Sequence, residues 1–531
     1  MKHDYTPYPV TDIAGKLARG FLNSPLTPIL GAFLLILGYI SFMITPREEN
    51  PQMVVSGGAV IVALPGATAS EVQEAIIKPL ERKMREIKGI EHIYATAMDN
   101  VGMVNVSFFI GEDKDESNLK LYDKIMQNHD IFPKGAMNPI IKPLDIDTDI
   151  PVLSFAFYTK DKTQDQTKLY NRVKKIQQDL NRVKDVAVTA TIGGKKEQYN
   201  ILVDLDKLSA YHLSLGQILK AVESLTTNVP DVKNRTKSGE LIVFGIKNAL
   251  ENAEDIKHII VAKYQGSAIH LEDVATIEKG YDIQNTKSAY ISTKTDQGFS
   301  PLQEQVTLTV SKLQGSNAVV IADKILDIME ELKPTLAKEG INFTVTRNDG
   351  DRANEAVNEL MFHLVISIVI IAILLVFVLG WKESVIVTFT VPAILAITLF
   401  VAYLGDQTIN RITLFALLLS LGLLVDAAII VIENIHRHLH DHGSRDKSME
   451  EIVVEATDEI GAPTNIATLA IIFTMVPMAF VGQMMGEFMK PIPANVPVAL
   501  IASLFVAYIF TPYLANKMLR KPDKYHSDDK S

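Results

Sequence analysis

One acidic residue lies in the middle of an apolar segment. The stretch LGLLVDAAIIVIEN, from Leu421 to Asn434, places Asp426 within an apolar run that extends from about Ile412 to Ile435. At about 1.5 Å per residue this run can cross a bilayer as a helix, and an ionised Asp at its centre costs on the order of 3 kcal/mol to insert. A carboxylate in such a position can change its protonation when a cation approaches or leaves. Asp426 is therefore predicted to be a proton relay, and the alternative is a buried structural residue paired to a neighbouring helix.

Four more polar residues of this segment could act with Asp426. Glu433 follows Asp426 by seven residues, about two helical turns, and is expected on the same face nearer the membrane surface. Glu433 and Asn434 are candidates for a proton exit, and a helix end that reaches towards water has the same pattern. Thr413 and Ser420 are candidates for lining the proton route, unless their hydroxyls bond back to helix carbonyls.

Histidines recur at every second position after this segment, at His436, His438, His440 and His442. His436 and His440 would share a helical face, a spacing that zinc sites use, so they are the weak candidates for a metal site. The run also fits the solvated end of an interfacial helix, and we therefore predict no metal site. The chain has no cysteine, which excludes cysteine-based metal or redox chemistry. The expected energy source is the proton motive force, with no cofactor.

The apolar residues of the chain are concentrated in blocks. The chain has 531 residues, 47% of them hydrophobic, and six segments reach the roughly 20 apolar residues that cross a bilayer. The predicted spans are about Leu26 to Thr45, Met361 to Leu379, Ser384 to Leu404, Ile412 to Ile435, Pro463 to Val481 and Pro493 to Leu514. The first is expected to stay in the protein, because it is too long for a signal peptide and no cleavage site follows it before Pro46.

Basic residues flank alternate ends of these segments. They lie before the first span, between the second and third, after the fourth and after the sixth, and include Lys16, Arg19, Lys382, Arg437 and Lys517. By the positive-inside rule, the N-terminal segment 1–25 and the tail 515–531 are cytoplasmic. The loop from Pro46 to Leu360 then lies outside and must be a folded domain. The net charge of -10 is spread over both signs, which argues against nucleic-acid binding.

The first part of this loop has the pattern of a mixed α/β unit. An apolar strand, Val54 to Leu64, is followed by Thr68 and Glu71 at the spacing of a capping box, which begins a helix. A strand pair, a second helix and a strand near Val152 to Phe157 come next. This β-α-β-β-α-β order predicts a split βαβ, ferredoxin-like unit.

A second unit of the same kind is predicted to close with a strand at Ile341 to Thr346. The stretch from about Gly193 to Asp282 interrupts this unit, and the alternation of Tyr199, Ile201 and Val203 predicts a strand within it. The predicted fold is therefore an α-helical membrane bundle of six helices plus an α+β domain, in which two ferredoxin-like units carry one inserted subdomain.

Four further motifs occur along the chain in a fixed order. They are PGATASEVQEAIIKPLE at Pro65 to Glu81, LSAYHLSLGQILKAVESLTTNVP at Leu208 to Pro230, VTLTVSKLQGSNAVVIADKI at Val306 to Ile325, and GEFMKPIPANVPVALIASLFVAYIFTPYLA at Gly486 to Ala515. With the fourth-span sequence and the plan of six spans around one large loop, they make the chain resemble the resistance-nodulation-division (RND) transporters of Gram-negative inner membranes. The resemblance covers essentially the whole chain.

The resemblance implies a secondary efflux permease driven by proton antiport, in the inner membrane, with a large periplasmic domain. That domain would contain a first porter subdomain (46–143), a second one (144–192 and 283–348) and a docking subdomain (193–282), followed by transmembrane helices 2 to 6 within 361–514. Its expected partners are a periplasmic adaptor protein, an outer-membrane channel and further copies in a trimer. Phe155, Phe157 and Ile192 fall where the family's substrate pocket would have one wall.

Two features depart from the drug-exporting members of the family. Those members resemble VDDA at the fourth span, whereas here Asp426 is followed by Ala427, which is similar to the heavy-metal-exporting branch. Family members usually contain two six-span halves, and this chain contains one. The resemblance implies that a second half carries the cation that pairs with Asp426, either on a separate chain, on another copy, or in a missing part of the product.

The leading hypothesis is half of a proton-driven permease that exports amphiphilic compounds or drugs. Alternatives in the same superfamily are a heavy-metal cation exporter and a half-size protein-secretion motor subunit. A different class is a non-transporting membrane receptor or assembly factor, but such an anchor does not need an acid like Asp426. The sequence contains no nucleophile and base pattern, metal signature or phosphate loop that indicates an enzyme.

Overall fold

The computed structural model describes residues 8–53, 55–159, 166–226, 232–235, 240–244, 252–282, 286–296, 298–441 and 447–521. Within these ranges the chain forms a helical region and, between the first two long apolar helices, a region of sheets and helices. His442 and residues 522–531 of the predicted tail lie outside the described residues.

Six helices of the described chain are long and apolar enough to cross a membrane, as predicted. We refer to them as the first to sixth spans, and their bounds are Leu26–Ile44, Asp349–Val378, Trp381–Leu404, Arg411–His440, Met449–Met475 and Pro491–Met518. The fifth continues as a 3-10 turn, Val476–Phe480, and a short helix, Gln483–Met489, precedes the sixth. A further helix before the first span, Ile13–Phe21, is called the N-terminal helix.

Side-chain caps set where the fourth and fifth spans begin. Asn410 Oδ1 accepts hydrogen bonds from the backbone N–H groups of Ile412 and Thr413, at 2.9 and 3.0 Å. Ser448 and Glu451 form a capping box at the start of the fifth span. This helix therefore begins at Met449, before the apolar segment predicted from Pro463, because its first turns carry polar residues that the apolar pattern does not detect.

The third, fourth and sixth spans form the centre of the helical region, where their facing sides are buried. The first span packs closely on the third, since a Cβ added to Gly38 would overlap Ala396. The second span is mostly exposed along its apolar part. The fourth span contacts the second, third, fifth and sixth spans, and one of its sides remains exposed.

The strands between the first and second spans form two larger sheets and several hairpins. In chain order they are β1 (Gly57–Ala63), β2 (Ile90–Met98), β3 (Val101–Phe108), β4 (Ile140–Pro143), β5 (Leu153–Thr159), β6 (Val186–Ile192), β7 (Glu197–Val203), β8 (Val232–Arg235), β9 (Leu241–Phe244), β10 (Ile260–Tyr264), β11 (Ser267–His270), β12 (Ala275–Tyr281), β13 (Ala289–Ile291), β14 (Lys294–Thr295), β15 (Gly298–Phe299), β16 (Gln303–Lys312) and β17 (Ile341–Asn348).

The first sheet is antiparallel and has the strand order β2-β3-β1-β4. Its helical segments are Ala69–Val72, Gln73–Ile77, Lys78–Met84 and Lys114–Gln127, and they bury an apolar core against the sheet. The prediction that Val152 to Phe157 closes this unit is wrong, because β4 does so. β4 is short, ends at Pro143 and is largely exposed, so no apolar alternation marks it in the sequence.

The second sheet has the order β6-β16-β5-β17, with β13 also paired to β16. Its pairings are antiparallel, and the helices Gln166–Leu180 and Ala318–Lys338 pack on it around a buried core. Strand, helix, strand, strand, helix and strand follow one another along the chain, as in the first unit. The last strand runs directly into the second span, because Asn348 is followed by the helix that starts at Asp349.

The predicted insert leaves the second sheet after β6 and returns at β13. β7 and β12 pair along their whole length and close its base, which confirms the strand predicted from Tyr199, Ile201 and Val203. The insert has a small core of its own, with Leu271 and Val274 fully buried. Its helices are Leu205–Ala210, Leu215–Thr226, Ala253–Lys257 and Leu271–Val274.

Candidate functional site

The exposed side of the fourth span forms one continuous stripe along the helix. The exposed residues recur at spacings of three or four, which places them on a single helical face. From Arg411 to Arg437 they are Arg411, Phe415, Leu419, Gly422, Asp426, Ile430, Glu433 and Arg437. We call this face the acidic stripe, because two carboxylates lie within its apolar part.

Asp426 lies near the middle of the acidic stripe. Among the described residues, no hydrogen bond or ion pair reaches its carboxylate, although it is in a helix that is otherwise apolar. One turn earlier, a Cβ added to Gly422 would meet no atom within 4 Å. The space beside the acid is therefore open, and a group from outside the described chain can approach it.

Both ends of the acidic stripe carry arginines, and both arginines are already paired. Arg411 Nη2 lies 3.1 Å from Glu49 Oε1, and Arg437 Nη2 donates to Glu459 Oε2 at 2.8 Å. Glu433 shares the face with Asp426, as its spacing predicts, and among the described residues it too has no hydrogen bond or ion pair. The uncompensated charge of the stripe is thus negative.

Thr413 and Ser420 lie on the buried side of the fourth span, away from Asp426. Thr413 Oγ1 accepts from Asn410 N–H as part of the helix cap and donates to the carbonyl oxygen of Thr408 or Asn410. Ser420 Oγ donates to the carbonyl of Leu417 at 2.9 Å. Neither hydroxyl shares a face with the acid, so a route along the acidic stripe would not pass them.

The remaining polar residues of this region tie the fourth span to its neighbours. Asn434 is buried, and its Nδ2 donates to the carbonyl of Ala456 at 2.7 Å and to Glu459 Oε2 at 3.1 Å. His436 Nδ1 lies 3.1 Å from Glu383 Oε1, at the start of the third span. Because its side chain is buried against the fifth span, Asn434 lies on a different face of the helix from the exposed Glu433.

The two histidines that could have held a metal are engaged with other groups. His440 Nδ1 donates to the carbonyl of His436 at 2.9 Å, and the centroids of the two rings lie 4.3 Å apart with their planes tilted by 32°. In the part of the chain that the structure describes, no group of three or more His, Cys, Asp or Glu side chains is arranged to hold a metal ion. His442, the end of the run, is outside that part.

Two of the residues predicted for a substrate pocket are core residues. Phe155 and Phe157 are 0% exposed and pack with Phe343 inside the second sheet unit. They point to the core because β5 lies between two other strands and under the helices, so its alternate apolar residues face inward. Neither ring is exposed among the described residues, and their assignment to a pocket wall stays a prediction. Ile192, on β6, is 50% exposed and remains at the surface.

A second acid of the helical region is not among the residues predicted from the sequence. Asp458, on the fifth span, is only 5% exposed, and its oxygens accept from Thr11 N–H, Thr11 Oγ1, Asp12 N–H and Tyr8 Oη at 2.8 to 3.3 Å. Burial and the negative charge of Asp458 raise the pKa of Tyr8, which keeps its hydroxyl protonated. The Ser448 capping signature could have revealed that Asp458 belongs to this helix.

The N-terminal helix fits closely against the fifth span around these carboxylates. Asp12 caps the helix by accepting from Ala14 N–H at 2.9 Å. A Cβ added to Gly15 would overlap the Asp458 carboxylate, and one added to Gly461 would overlap that of Asp12. Each aspartate thus lies over a glycine of the other helix. We call this contact the aspartate clamp.

The architecture is that of a multi-pass membrane protein, with six apolar spans and a large folded region after the first. Residues 17–529 match the model of the AcrB/AcrD/AcrF family. Because the match covers nearly the whole chain, the protein belongs to this family of RND permeases. The predicted family is confirmed, and its members are efflux transporters rather than enzymes.

Proposed function

We propose that the chain is a six-span half of a proton-driven RND efflux permease that exports amphiphilic compounds. The observation that carries the proposal is Asp426, an acid on the exposed acidic stripe that has no partner among the described residues. Acids at mid-membrane depth are costly and usually belong to ion pathways. The family membership supports efflux as the activity that such a pathway would drive.

A second six-span half would cover the acidic stripe and supply a cation to Asp426. In this arrangement the cation stabilises the ionised carboxylate, because an opposite charge within about 4–6 Å favours the charged form. Protonation of Asp426 removes that attraction, so the two halves can occupy different positions in the two protonation states. A ligand that binds one state better shifts the equilibrium between them, which couples proton movement to alternating conformations.

Protons would enter from the outer side and leave towards the cytoplasm past Glu433. Glu433 lies on the same stripe as Asp426, about 10 Å further along the helix by the rise of about 1.5 Å per residue. Asn434, by contrast, is held by the fifth span and faces away from this route. Glu433 is therefore the better of the two candidates for the exit.

The two sheet units would act as the ferredoxin-like porter subdomains, and the insert closed by β7 and β12 as the docking subdomain. Their β-α-β-β-α-β order and common strand order support this assignment. In this reading the region lies in the periplasm and contacts an adaptor protein and an outer-membrane channel, within a trimer. Exposed Ile192 is a candidate for the substrate path.

Export of heavy-metal cations is the second candidate. It is favoured by one feature, the single acid of the fourth span, since Asp426 is followed by a buried Ala427 rather than by a second carboxylate. The described chain offers no metal-binding cluster that would add to this feature. We therefore place amphiphile export first.

The proposal is tested by Asp426→Asn, with a second half supplied and expression levels matched. Efflux driven by an imposed pH gradient should fall to background, because Asn cannot take up or release a proton, while membrane insertion is unaffected. Asp406→Asn is the matched control. Asp406 is an exposed acid in the loop between the third and fourth spans, and its φ of 52° is a conformation that Asn adopts readily. Normal efflux by Asp426→Asn would refute the proposal.

The proposed orientation has its own test. The chain contains no cysteine, so one introduced residue is the only thiol. Ser267→Cys, in the exposed hairpin of β10 and β11, should react with an impermeant thiol reagent in intact spheroplasts. Glu450→Cys, exposed at the start of the fifth span, should react only after the membrane is opened. The reverse pattern would overturn the orientation.

A further inference from the structure

A buried ion pair lies where the first span meets the second sheet. Glu48 and Lys312 are 4% and 6% exposed, and Lys312 Nζ donates to Glu48 Oε1 at 2.7 Å. Gln52 Nε2 donates to the same oxygen at 3.0 Å, and Thr408 Oγ1 donates to Glu48 Oε2 at 3.4 Å. This carboxylate therefore connects its own segment with two others that are far away in the sequence, at Lys312 and at Thr408.

On one side, this carboxylate is attached to the start of the fourth span. Glu48 N–H donates to the carbonyl of Ile409 at 3.0 Å, and Ile409 N–H donates to the carbonyl of Pro46 at 2.8 Å. The next acid, Glu49, pairs with Arg411, the first residue of the fourth span. The segment after the first span thus holds the beginning of the helix that carries Asp426.

On the other side, the carboxylate is attached to the second sheet. Lys312 is the last residue of β16, the strand that lies between β5 and β6. The carbonyl of Arg47, the residue before Glu48, accepts a hydrogen bond from the N–H of Ala318. Ala318 is the first residue of the long helix that packs on the second sheet. A displacement of the fourth span is therefore passed to a central strand and a helix through short, directional contacts.

Stability alone gives little reason for an ion pair at this place. Replacing a buried pair with neutral side chains of similar volume is often neutral or stabilising, because burying two charges is costly. A neutral pair would pack without the directional hydrogen bond between Lys312 and Glu48. The loop that carries Glu48 could then change its position relative to β16.

We infer that Glu48 and Lys312 are positioning residues of the transport cycle, which transmit movement of the fourth span to the second sheet. The inference rests on the proposed function, because it requires the fourth span to move when Asp426 changes its protonation. It adds to that function a specific mechanical connection between the acidic stripe and the sheet region. Neither residue contacts the acid itself.

The test uses two introduced thiols in the full chain with its second half, reconstituted in bilayers. Spin labels at Glu331→Cys, exposed on the long helix of the second unit, and Met484→Cys, exposed between the fifth and sixth spans, report the distance between the two regions. Asp426→Asn, which imitates the protonated state, should shift this distance. In the double variant Glu48→Gln with Lys312→Met the shift should be clearly smaller, because the backbone hydrogen bonds of the loop remain but the ion pair is lost, while the melting temperature stays at or above that of the parent.

Two further variants complete the experiment. The charge-swapped pair Glu48→Lys with Lys312→Glu should restore part of the shift. Lys333→Met, which breaks an exposed pair with Glu330 on the same helix, should leave it unchanged. The inference is overturned if the neutral double variant folds and keeps the full shift. Failure of the proposed function is seen separately, as normal pH-driven efflux by Asp426→Asn, and the inference would then fall with it.

Discussion

Two aspartates on neighbouring spans have opposite surroundings. Asp458, on the fifth span, is 5% exposed and accepts hydrogen bonds from four donors of the N-terminal segment. Asp426, on the fourth span, lies on the exposed acidic stripe and has no partner within the described ranges. Both are acids in helices long enough to cross a membrane, so helix length and hydropathy do not distinguish them.

The difference separates a carboxylate that anchors one helix to another from a carboxylate that makes no such bonds among the described residues. The donors to Asp458 are fixed by the N-terminal helix, and charge-assisted hydrogen bonds of this kind hold a carboxylate in its ionised form. Asp426 has no such donors among the described residues, and under the proposed function its partner comes from a second half. The number of donors already in place, rather than acidity, indicates which aspartate can do chemistry.

The largest expected effect comes from removing each carboxylate in turn. Asp458→Ala should lower the free energy of unfolding by about 2 kcal/mol, because buried donors left without an acceptor cost about 1–3 kcal/mol. Asp426→Ala removes no hydrogen bond or ion pair within the described residues and should change the free energy of unfolding by less than about 0.5 kcal/mol. Thermal unfolding of the purified variants in detergent measures both. Equal losses would show that the two acids have the same structural role.

A smaller effect is expected from two glycines of the N-terminal helix. Gly15→Ala should destabilise the protein by about 1 kcal/mol, because its Cβ would overlap Asp458 and overpacking costs about 1–3 kcal/mol. Gly20→Ala is the control, since a Cβ there meets nothing within 4 Å. It should be neutral or stabilise the helix by up to about 1 kcal/mol. Melting temperatures that move in the same direction would argue against the aspartate clamp.

The smallest effect is expected at Glu433. Glu433→Gln should retain part of the pH-driven efflux, because Glu433 lies near the helix end, where water can replace it on the acidic stripe. The measurement is the initial rate of pH-driven efflux by Glu433→Gln, compared with the rate of Asp426→Asn in the same assay. If Glu433→Gln is as inactive as Asp426→Asn, the stripe contains two essential carboxylates, and the contrast between a central and a peripheral acid is lost.

The sequence predicted what depends on local periodicity. The six spans, the shared face of Asp426 and Glu433 and the strand β7 are all recovered by spacing. The predictions from sequence failed where the fold depends on pairing between strands that are far apart in the sequence. Which of two candidate strands closes the first sheet is decided by partners, and so β4 was missed in favour of Val152 to Phe157.

The same limit applies to the sites. Phe155 and Phe157 have the alternation of a half-buried strand, and only the position of β5 between β16 and β17 shows that they are core residues. Asp458 and the pair of Glu48 with Lys312 join segments hundreds of residues apart, as the separation of Thr11 from Asp458 by 447 residues illustrates. Contacts of that range leave no periodic signal in one sequence.

The pairing of β5 has a consequence for how the protein is made. β5 pairs with β16 and β17, which are synthesised after the whole insert. At ~5–20 residues per second, the intervening ~150 residues take on the order of ten seconds to synthesise. During that time a strongly apolar strand has no partner on either edge, which is a condition that promotes aggregation. The insert, with its own core and its base closed by β7 and β12, can fold within that interval, and the second sheet is completed last.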